Sequence, residues 1–311
     1  RGLGDVYKRQ VFIFGEDVGL VGGTFRATEG LMAEFGARRV RDTPISEATF
    51  VGCGVGAAIA GMRPVVEIQI FDFIALTMDM LVNQAAKFRY MLGGGPTVPL
   101  VVRGPQGGGI RMAAQHSQSL EAWFTHVPGL VVVAPSTPYD AKGLLVSAIR
   151  DDNPVLFFED KMMYNDVGPV PDEEYLLPFG EAEIKRAGDD VTIVATSSMV
   201  GVALKAADLL AADGISAEVV DPLTLVPLDK DALIASVRKT GFAVVVDEGV
   251  QRFGVTGEIA SMLSEEAFDY LDAPVARIGA AEVPVPFSPT MEFGTIPDEE
   301  RVAATVHSLR S

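Results

Sequence analysis

The stretch Asp42-Thr43-Pro44-Ile45-Ser46-Glu47-Ala48 decides the fold, because it places one carboxylate at the start of a helix rich in small residues. Ser46 is a favourable N-cap residue, so we expect this helix to begin at Glu47. Small residues recur at every fourth position and give the helix a face almost free of side chains: Ala48, Gly52, Gly56 and Ala60. Each glycine in a helix interior costs up to about 1 kcal/mol relative to alanine. We therefore expect this face to pack closely against another element or another chain.

Glu47 has two interpretations on the local sequence alone. In the first, a glutamate in the first helical turn complements the helix dipole and has only a structural role. In the second, it is the functional carboxylate of a site at the mouth of the helix. The local sequence leaves both open.

Composition and charge restrict the class of protein. With 311 residues, of which 48% are apolar and 22% charged, the chain is long enough for two domains with substantial cores. The net charge of −17 disfavours nucleic acid and anionic membranes as partners, because either would require a basic face. The longest uncharged run, Ala48 to Met62, is shorter than the roughly 20 apolar residues of a membrane span.

Cys53 is the only cysteine, so no internal disulfide can form and the sequence fits a reducing compartment. Its glycine neighbours suggest a small buried hydrophobe rather than a nucleophile. Residues 1–10 lack an initiator methionine, and the apolar run that follows them, Val11 to Phe14, is too short for the core of a signal peptide. We interpret these first residues as foreign to the protein and expect the native N-terminus to be missing.

Apolar β-rich runs alternate with helical spacing in two parts of the chain. The first part covers residues 11–165 and the second residues 191–311, and a polar stretch rich in proline and glycine, residues 166–190, joins them. Continuous runs of valine, isoleucine, leucine and phenylalanine between helices indicate parallel sheets covered on both faces. The sequence therefore predicts an α/β fold of two doubly wound domains with an interdomain linker.

His116 is the histidine whose position indicates a function. It follows a flexible loop, Gly104 to Gly109, which itself follows an apolar strand, and ligands bind at the carboxyl ends of parallel strands. A histidine there can act as an acid, a base or a hydrogen-bond donor, or it can simply bond the neighbouring backbone. His126 and His307 have the pattern of structural or solvated residues. Serine-hydrolase, zinc, calcium, Walker and dinucleotide-binding motifs are absent from the sequence.

Five sequence blocks occur in one order and together resemble a known family. They are Glu16-Asp17, Thr43 to Ala48, Asn83 to Lys87, Gln115 to Ser119 and Pro135 to Leu145. The chain from Val11 onward resembles the β subunit of the thiamine diphosphate-dependent 2-oxo acid dehydrogenase E1 component. The resemblance implies a transketolase-like pyrimidine-binding domain followed by a transketolase C-terminal-like domain.

The resemblance also gives roles to individual residues. It implies that Glu47 hydrogen-bonds N1′ of the aminopyrimidine of thiamine diphosphate, and that Ile45, Gln69 and Phe73 line the pyrimidine pocket. His116 matches a histidine that handles the substrate carboxylate or acyl transfer to the lipoyl group. On residue types alone, core or rim packing is the favoured interpretation for Gln69 and for Phe73.

The family implies a structural potassium site formed mainly by backbone carbonyl groups, matched here by Leu100, Ala148, Ile149, Asp151 and Asn153. A Gly-Asp-Gly motif for the diphosphate and its Mg²⁺ is missing, and the only similar stretch is Gly188-Asp189-Asp190 in the linker. In the family an α subunit supplies that motif, so the resemblance implies an active site shared between chains of an α2β2 assembly. It implies no nucleic acid or membrane partner.

The expected function is therefore the E1 β subunit reaction: decarboxylation of pyruvate, or cleavage of acetoin, with acyl transfer to the lipoyl group of an E2 acyltransferase. A branched-chain 2-oxo acid is an alternative substrate. A subunit that only scaffolds a partner, with Glu47 and His116 in structural roles, is the alternative of another class. The expected location is the cytoplasm of a bacterium, or an organelle matrix if a transit peptide is missing.

Overall fold

The computed structural model describes residues 10–311, so all of the N-terminal segment predicted to be foreign except its last residue lies outside the described residues. The strands are β1 Val11–Gly15, β2 Val40–Asp42, β3 Arg63–Glu67, β4 Val101–Gln106, β5 Val131–Val133, β6 Val155–Asp160, β7 Glu183–Arg186, β8 Val191–Ala195, β9 Ala217–Asp221, β10 Thr224–Val226, β11 Ala243–Val250 and β12 Ala276–Ala280.

The helices cover both sheets and vary widely in length. The α-helices are α1 Leu31–Phe35, α2 Glu47–Ile59, α3 Ala86–Met91, α4 Glu121–Thr125, α5 Pro138–Arg150, α6 Met199–Ala212, α7 Lys230–Thr240, α8 Val255–Glu266, α9 Pro289–Phe293 and α10 Glu299–Leu309. Shorter 3₁₀ segments are Phe71–Thr77, Lys161–Asn165 and Phe268–Tyr270, and Asp79–Ala85 is a π-helix. Among the described residues, none of these helices combines the length and the apolar character needed to cross a membrane.

Two sheets form the framework. The first has the order β10-β5-β6-β4-β3-β1-β2 and the second the order β12-β11-β8-β9-β7. The central strands pair in parallel, and only the edge strands β10 and β7 run antiparallel to their neighbours. The central apolar strands are buried along their length, as expected for parallel sheets covered on both faces. The predicted α/β class with two doubly wound sheets is confirmed.

Some elements differ from the sequence prediction. The stretch from Thr77 to Tyr90 has helical spacing in its sequence, but it is not one regular α-helix: a 3₁₀ segment ends at Thr77, and the π-helix and α3 follow. The predicted linker, residues 166–190, contains β7, which pairs with β9 at the edge of the second sheet. Strand β7 carries charged residues, because an edge strand contacts solvent on one side, so its sequence has the polar character of a linker. Strand β10 comes from the second half of the chain yet pairs with β5 in the first sheet.

Helix α2 begins at Glu47, as predicted, but Ser46 caps it differently. The Ser46 hydroxyl bonds Thr49 Oγ1 at 2.6 Å instead of a backbone N–H. Cys53 is exposed, so its prediction as a buried hydrophobe is wrong: the turn of the helix places it away from the sheet. The glycine that contacts the sheet is Gly54, and Gly56 is exposed on the small-residue face.

The fold delivers the candidate site residues from neighbouring strands. Strands β4, β3, β1 and β2 are adjacent in the first sheet and run in parallel. Beyond their carboxyl ends lie, in the same order, His116, Gln69, Glu16 and Glu47. Ligands of open α/β sheets bind at this edge. Residues far apart in sequence therefore reach one edge of one sheet.

Candidate active site

Glu47 and Glu16 form a pair of neighbouring carboxyl groups. Glu47 is the first residue of α2 and is only 6% exposed, and Glu16 follows β1 directly. Burial, followed by the negative charges of Glu47 and Asp17, raises the pKa of Glu16 to about 7. The buried Oε1 of Glu16 finds no hydrogen-bond partner within residues 10–311. Glu16 can therefore hold a proton near neutral pH that a carboxyl group in water would have released.

The side chain of Gln69 positions the turn that carries Glu16. Its Nε2 donates to the carbonyl oxygen of Glu16 at 2.7 Å and to Oδ2 of Asp17 at 3.2 Å. Its Oε1 accepts from Thr24 Oγ1 at 2.8 Å. The amide is thus occupied on both sides by the chain itself. This support for Glu16 is a role that the sequence alone did not indicate.

Phe73 and His116 form the second contact of the site. Their rings meet edge to face, with centroids 5.3 Å apart and an interplanar angle of 88°. Both side chains are half-buried. The segment from Gln69 to Phe73 links this pair to the two carboxyl groups. Of the residues predicted to line the pyrimidine pocket, Ile45 is 81% exposed just before α2, and a ligand or another chain is needed to cover it.

Glu16 is the functional candidate that reasoning from residue types missed. Its signal in the sequence was the position of a Glu-Asp pair directly after an apolar strand, at the edge where ligands bind. The contact with Glu47 could not be read from the sequence, because it depends on the pairing of β1 with β2. Lys161 and Asp72, which hold the segment around His116, were missed as well.

The arrangement suits the aminopyrimidine ring that the resemblance implies. A buried carboxyl group at Glu47, an unpaired buried oxygen on Glu16 and the aromatic edge of Phe73 offer hydrogen-bond acceptors beside an apolar surface. A divalent metal would require a cluster of ligating side chains. In the part of the chain that the structure describes, no three histidine, cysteine, aspartate or glutamate side chains are grouped to hold a metal ion.

Two of the residues predicted for potassium, Ile149 and Asp151, contact one guanidinium, that of Arg63. Arg63 Nη1 donates to the carbonyl oxygens of Ile149 at 3.0 Å and of Asp151 at 2.8 Å. The carbonyl oxygen of Leu100 accepts from Val155 at 2.8 Å, beside Asn153. Each carbonyl oxygen has a second lone pair, so the donor set still fits a monovalent ion, although Arg63 already places positive charge there.

Two families match the chain in succession. The transketolase pyrimidine-binding domain matches residues 7–167, and the transketolase C-terminal domain matches residues 180–302. The acetoin:2,6-dichlorophenolindophenol oxidoreductase subunit beta of Bacillus subtilis is 49% identical over 288 residues, which are 93% of this chain and 84% of that protein. The 2-oxoisovalerate dehydrogenase subunit beta of the same organism is 47% identical over 302 residues, 96% of this chain and 92% of that protein. The pyruvate dehydrogenase E1 component subunit beta of Rickettsia felis is 48% identical over 300 residues, which are also 96% of this chain and 92% of that protein.

The chain belongs to the family of 2-oxo acid dehydrogenase E1 β subunits. The predictions of family, fold and enzyme class are thereby confirmed. This transketolase-like family depends on thiamine diphosphate. A solved structure described as a split-gene transketolase, inactive beta4 tetramer, has a TM-score of 0.79 at 24% identity and covers 99% of this chain and 93% of its own, and it supports the fold alone. The roles of individual E1 β residues stay predictions.

Proposed function

We propose that this E1 β subunit completes a thiamine diphosphate site that decarboxylates pyruvate, or cleaves acetoin, and passes the acyl group to the lipoyl group of an E2 acyltransferase. The observation that carries the proposal is the buried Glu47, paired with Glu16 at the carboxyl edge of the first sheet and linked to Phe73 and His116. Relatives named for acetoin and for pyruvate support both substrates.

Each residue has a separate task in the proposed mechanism. When bound, the cofactor supplies an electron sink for the loss of carbon dioxide. Glu47 holds a proton against N1′ of the aminopyrimidine, and its burial keeps water from competing for that contact. Glu16 places a second carboxyl group beside it, and this group can carry a proton near neutral pH. His116, oriented by the ring of Phe73, donates hydrogen bonds to the substrate carboxylate or assists transfer to the lipoyl group.

The site is proposed to be shared with an α subunit in an α2β2 assembly. The α subunit would hold the diphosphate and its Mg²⁺, because the sequence of this chain has no Gly-Asp-Gly motif. In this chain, Gly188-Asp189-Asp190 serves as a turn instead: the backbone N–H groups of Asp189 and Asp190 donate to Ser216, and a Cβ on Gly188 would lie 2.2 Å from Ala217. Potassium is proposed as a structural ion at the loop of Ile149 and Asp151.

A branched-chain 2-oxo acid is the second candidate substrate. The relative named 2-oxoisovalerate dehydrogenase subunit beta is matched over 96% of this chain, a slightly larger share than the acetoin relative. Turnover of 3-methyl-2-oxobutanoate that exceeds turnover of pyruvate would identify that substrate. For location, we propose the bacterial cytoplasm or an organelle matrix, as for relatives from bacteria and mitochondria.

The substitution Glu47→Gln tests the proposed catalytic role. The assembled enzyme should keep its α2β2 state and lose about 10²- to 10⁴-fold in kcat, the range for loss of a general acid-base group. Glu299→Gln is the matched control, because Glu299 is also the first residue of a helix, α10. Unchanged turnover of the Glu47→Gln enzyme would instead favour the scaffolding role.

A further inference from the structure

The loop before His116 adopts a conformation that its own residues disfavour. This histidine loop, residues 107–116, connects the end of β4 to His116. Positive φ angles occur at Gly107 (86°), Gly109 (90°), Arg111 (63°) and Ala113 (60°). For the two residues with side chains, this backbone region is sterically disfavoured. Contacts from outside the loop must therefore hold it in place.

Lys161 binds both ends of the histidine loop. Its Nζ donates to the carbonyl oxygen of Gly107 at 2.9 Å and to that of His116 at 2.8 Å. The side chain is buried, and Asp72 Oδ2 lies 3.6 Å from the same nitrogen. Asp72 also accepts from the backbone N–H of Gln118 at 2.9 Å. The first domain thus fixes the two ends of the loop but leaves its middle to other contacts.

Glu292 of the second domain binds the middle of the histidine loop. Its Oε1 accepts from the N–H of Gly109 at 2.8 Å, and the N–H of Arg111 lies 3.2 Å from Oε1 and 3.0 Å from Oε2. Glu248, from β11, accepts from the N–H of Gly108 at 2.6 Å. Two carboxyl groups of the second domain therefore bind three backbone N–H groups of the loop, those of Gly108, Gly109 and Arg111.

The carboxyl group of Glu292 is buried, and its hydrogen bonds to the histidine loop account for that burial. The residue is 0% exposed, whereas its neighbours Met291 and Phe293 in α9 are exposed. Burying a carboxylate is expensive unless hydrogen bonds replace its water. The backbone donors of the histidine loop supply those bonds, and Glu292 is the residue of α9 that is buried.

We propose that Glu292 is a positioning residue for the reaction: through the histidine loop, the second domain sets the orientation of His116. The inference rests on the proposed function, since it requires His116 to act on the substrate or the lipoyl group. Glu292 itself does not touch the reacting atoms. Its effect on turnover is transmitted by the N–H groups of Gly109 and Arg111.

A double-mutant cycle in the enzyme assembled with its α subunit tests the proposal. Glu292→Gln keeps one oxygen, which the N–H groups of Gly109 and Arg111 must then share, and replaces Oε2, the nearer acceptor of the Arg111 N–H, with an amide NH₂. We expect kcat/KM for lipoyl acylation to fall about 10- to 100-fold, as for a displaced catalytic group. His116→Ala should fall at least as far, and the double variant should match His116→Ala alone. Glu300→Gln, an exposed residue of α10, is the control and should stay within about twofold of wild type.

The outcomes distinguish the positioning role of Glu292 from the role of His116 in the reaction. If the losses from Glu292→Gln and His116→Ala multiply in the double variant, the positioning role is overturned and the role of His116 stays intact. An unaffected Glu292→Gln enzyme would lead to the same conclusion. Wild-type rates in His116→Ala would overturn the proposed role of His116 and, with it, the reason to position it. If Glu292→Gln does not assemble with the α subunit, Glu292→Asp replaces it in the same cycle, because the shorter carboxylate keeps its charge and displaces the loop.

Discussion

Two glycines of α2 that lie two residues apart should respond oppositely to the same substitution. A Cβ atom on Gly54 would lie 2.8 Å from Val66 Cγ2 and 3.1 Å from Leu100 Cδ1, whereas no neighbouring atom of residues 10–311 lies within 4 Å of a Cβ on Gly56. Real Cβ atoms do not approach other atoms as closely as 2.8 Å. Gly54→Ala therefore forces the sheet side of the helix apart, and Gly56→Ala does not.

The magnitudes follow from helix propensity and packing. Alanine stabilises a helix interior by about 0.5–1 kcal/mol relative to glycine, so Gly56→Ala should raise the free energy of unfolding by that amount. Gly54→Ala gains the same term but loses about 1–3 kcal/mol to overpacking, for a net loss of about 0–2.5 kcal/mol. At about 2–4 °C per kcal/mol, Tm should rise by about 1–4 °C for Gly56→Ala and fall by up to about 10 °C for Gly54→Ala.

Thermal denaturation of the isolated β chain at a fixed concentration measures both shifts. Sedimentation of the same variants with the α subunit then tests whether the small-residue face is an interface. A face that packs against another chain leaves no room for the new methyl group, so Gly56→Ala should weaken assembly while it stabilises the isolated chain. A Gly56→Ala chain that is as destabilised as Gly54→Ala would refute the assignment of the helix faces. Unchanged assembly would refute the interface.

Two further predictions concern charge. The pKa of Glu16 in the folded state is about 7, above the ordinary value of 4.5. Between these pH values the folded state holds a proton that the unfolded state releases. The free energy of unfolding therefore falls as pH rises from 4.5 to about 7. Glu16→Gln should therefore match wild type in Tm near pH 4.5 and exceed it at pH 8, while the exposed Glu34→Gln tracks wild type at both; a parallel pH profile for Glu16→Gln would contradict the raised pKa. Potassium should raise Tm more than lithium at equal ionic strength, because carbonyl oxygens suit the larger ion, and equal effects of the two salts would speak against a potassium site at Ile149 and Asp151.

The sequence predicted the position of a candidate residue well where that position depends on where a strand or helix begins or ends. Glu47 opens α2 as expected, and His116 follows a loop at the carboxyl edge of the sheet. The sequence did not reveal the side of α2 that contacts the sheet, because small residues occur on every side of that helix. Cys53 was misplaced for this reason, and Gly54 proved to be the glycine in contact with the sheet.

Contacts between the two halves of the chain could not be predicted from the sequence. Strand β10 lies between two prolines and has only three residues, too few to show a periodic pattern. It nevertheless pairs with β5 and completes the first sheet. Glu292 lies 183 residues from Gly109, in a five-residue helix that looks polar and exposed in the sequence. Such contacts depend on how the domains dock, which local periodicity does not encode.

The binding of thiamine diphosphate tests the central claim most directly. Calorimetry with Mg²⁺ should be carried out on this chain alone and on the chain coexpressed with its α subunit. We predict saturable binding by the assembled enzyme and none by the isolated chain, because in the proposed shared site Glu47 and its neighbours would contact only the pyrimidine side of the cofactor. Tight binding by the isolated chain would contradict the shared site, and no binding by either sample would contradict a thiamine diphosphate site at Glu47.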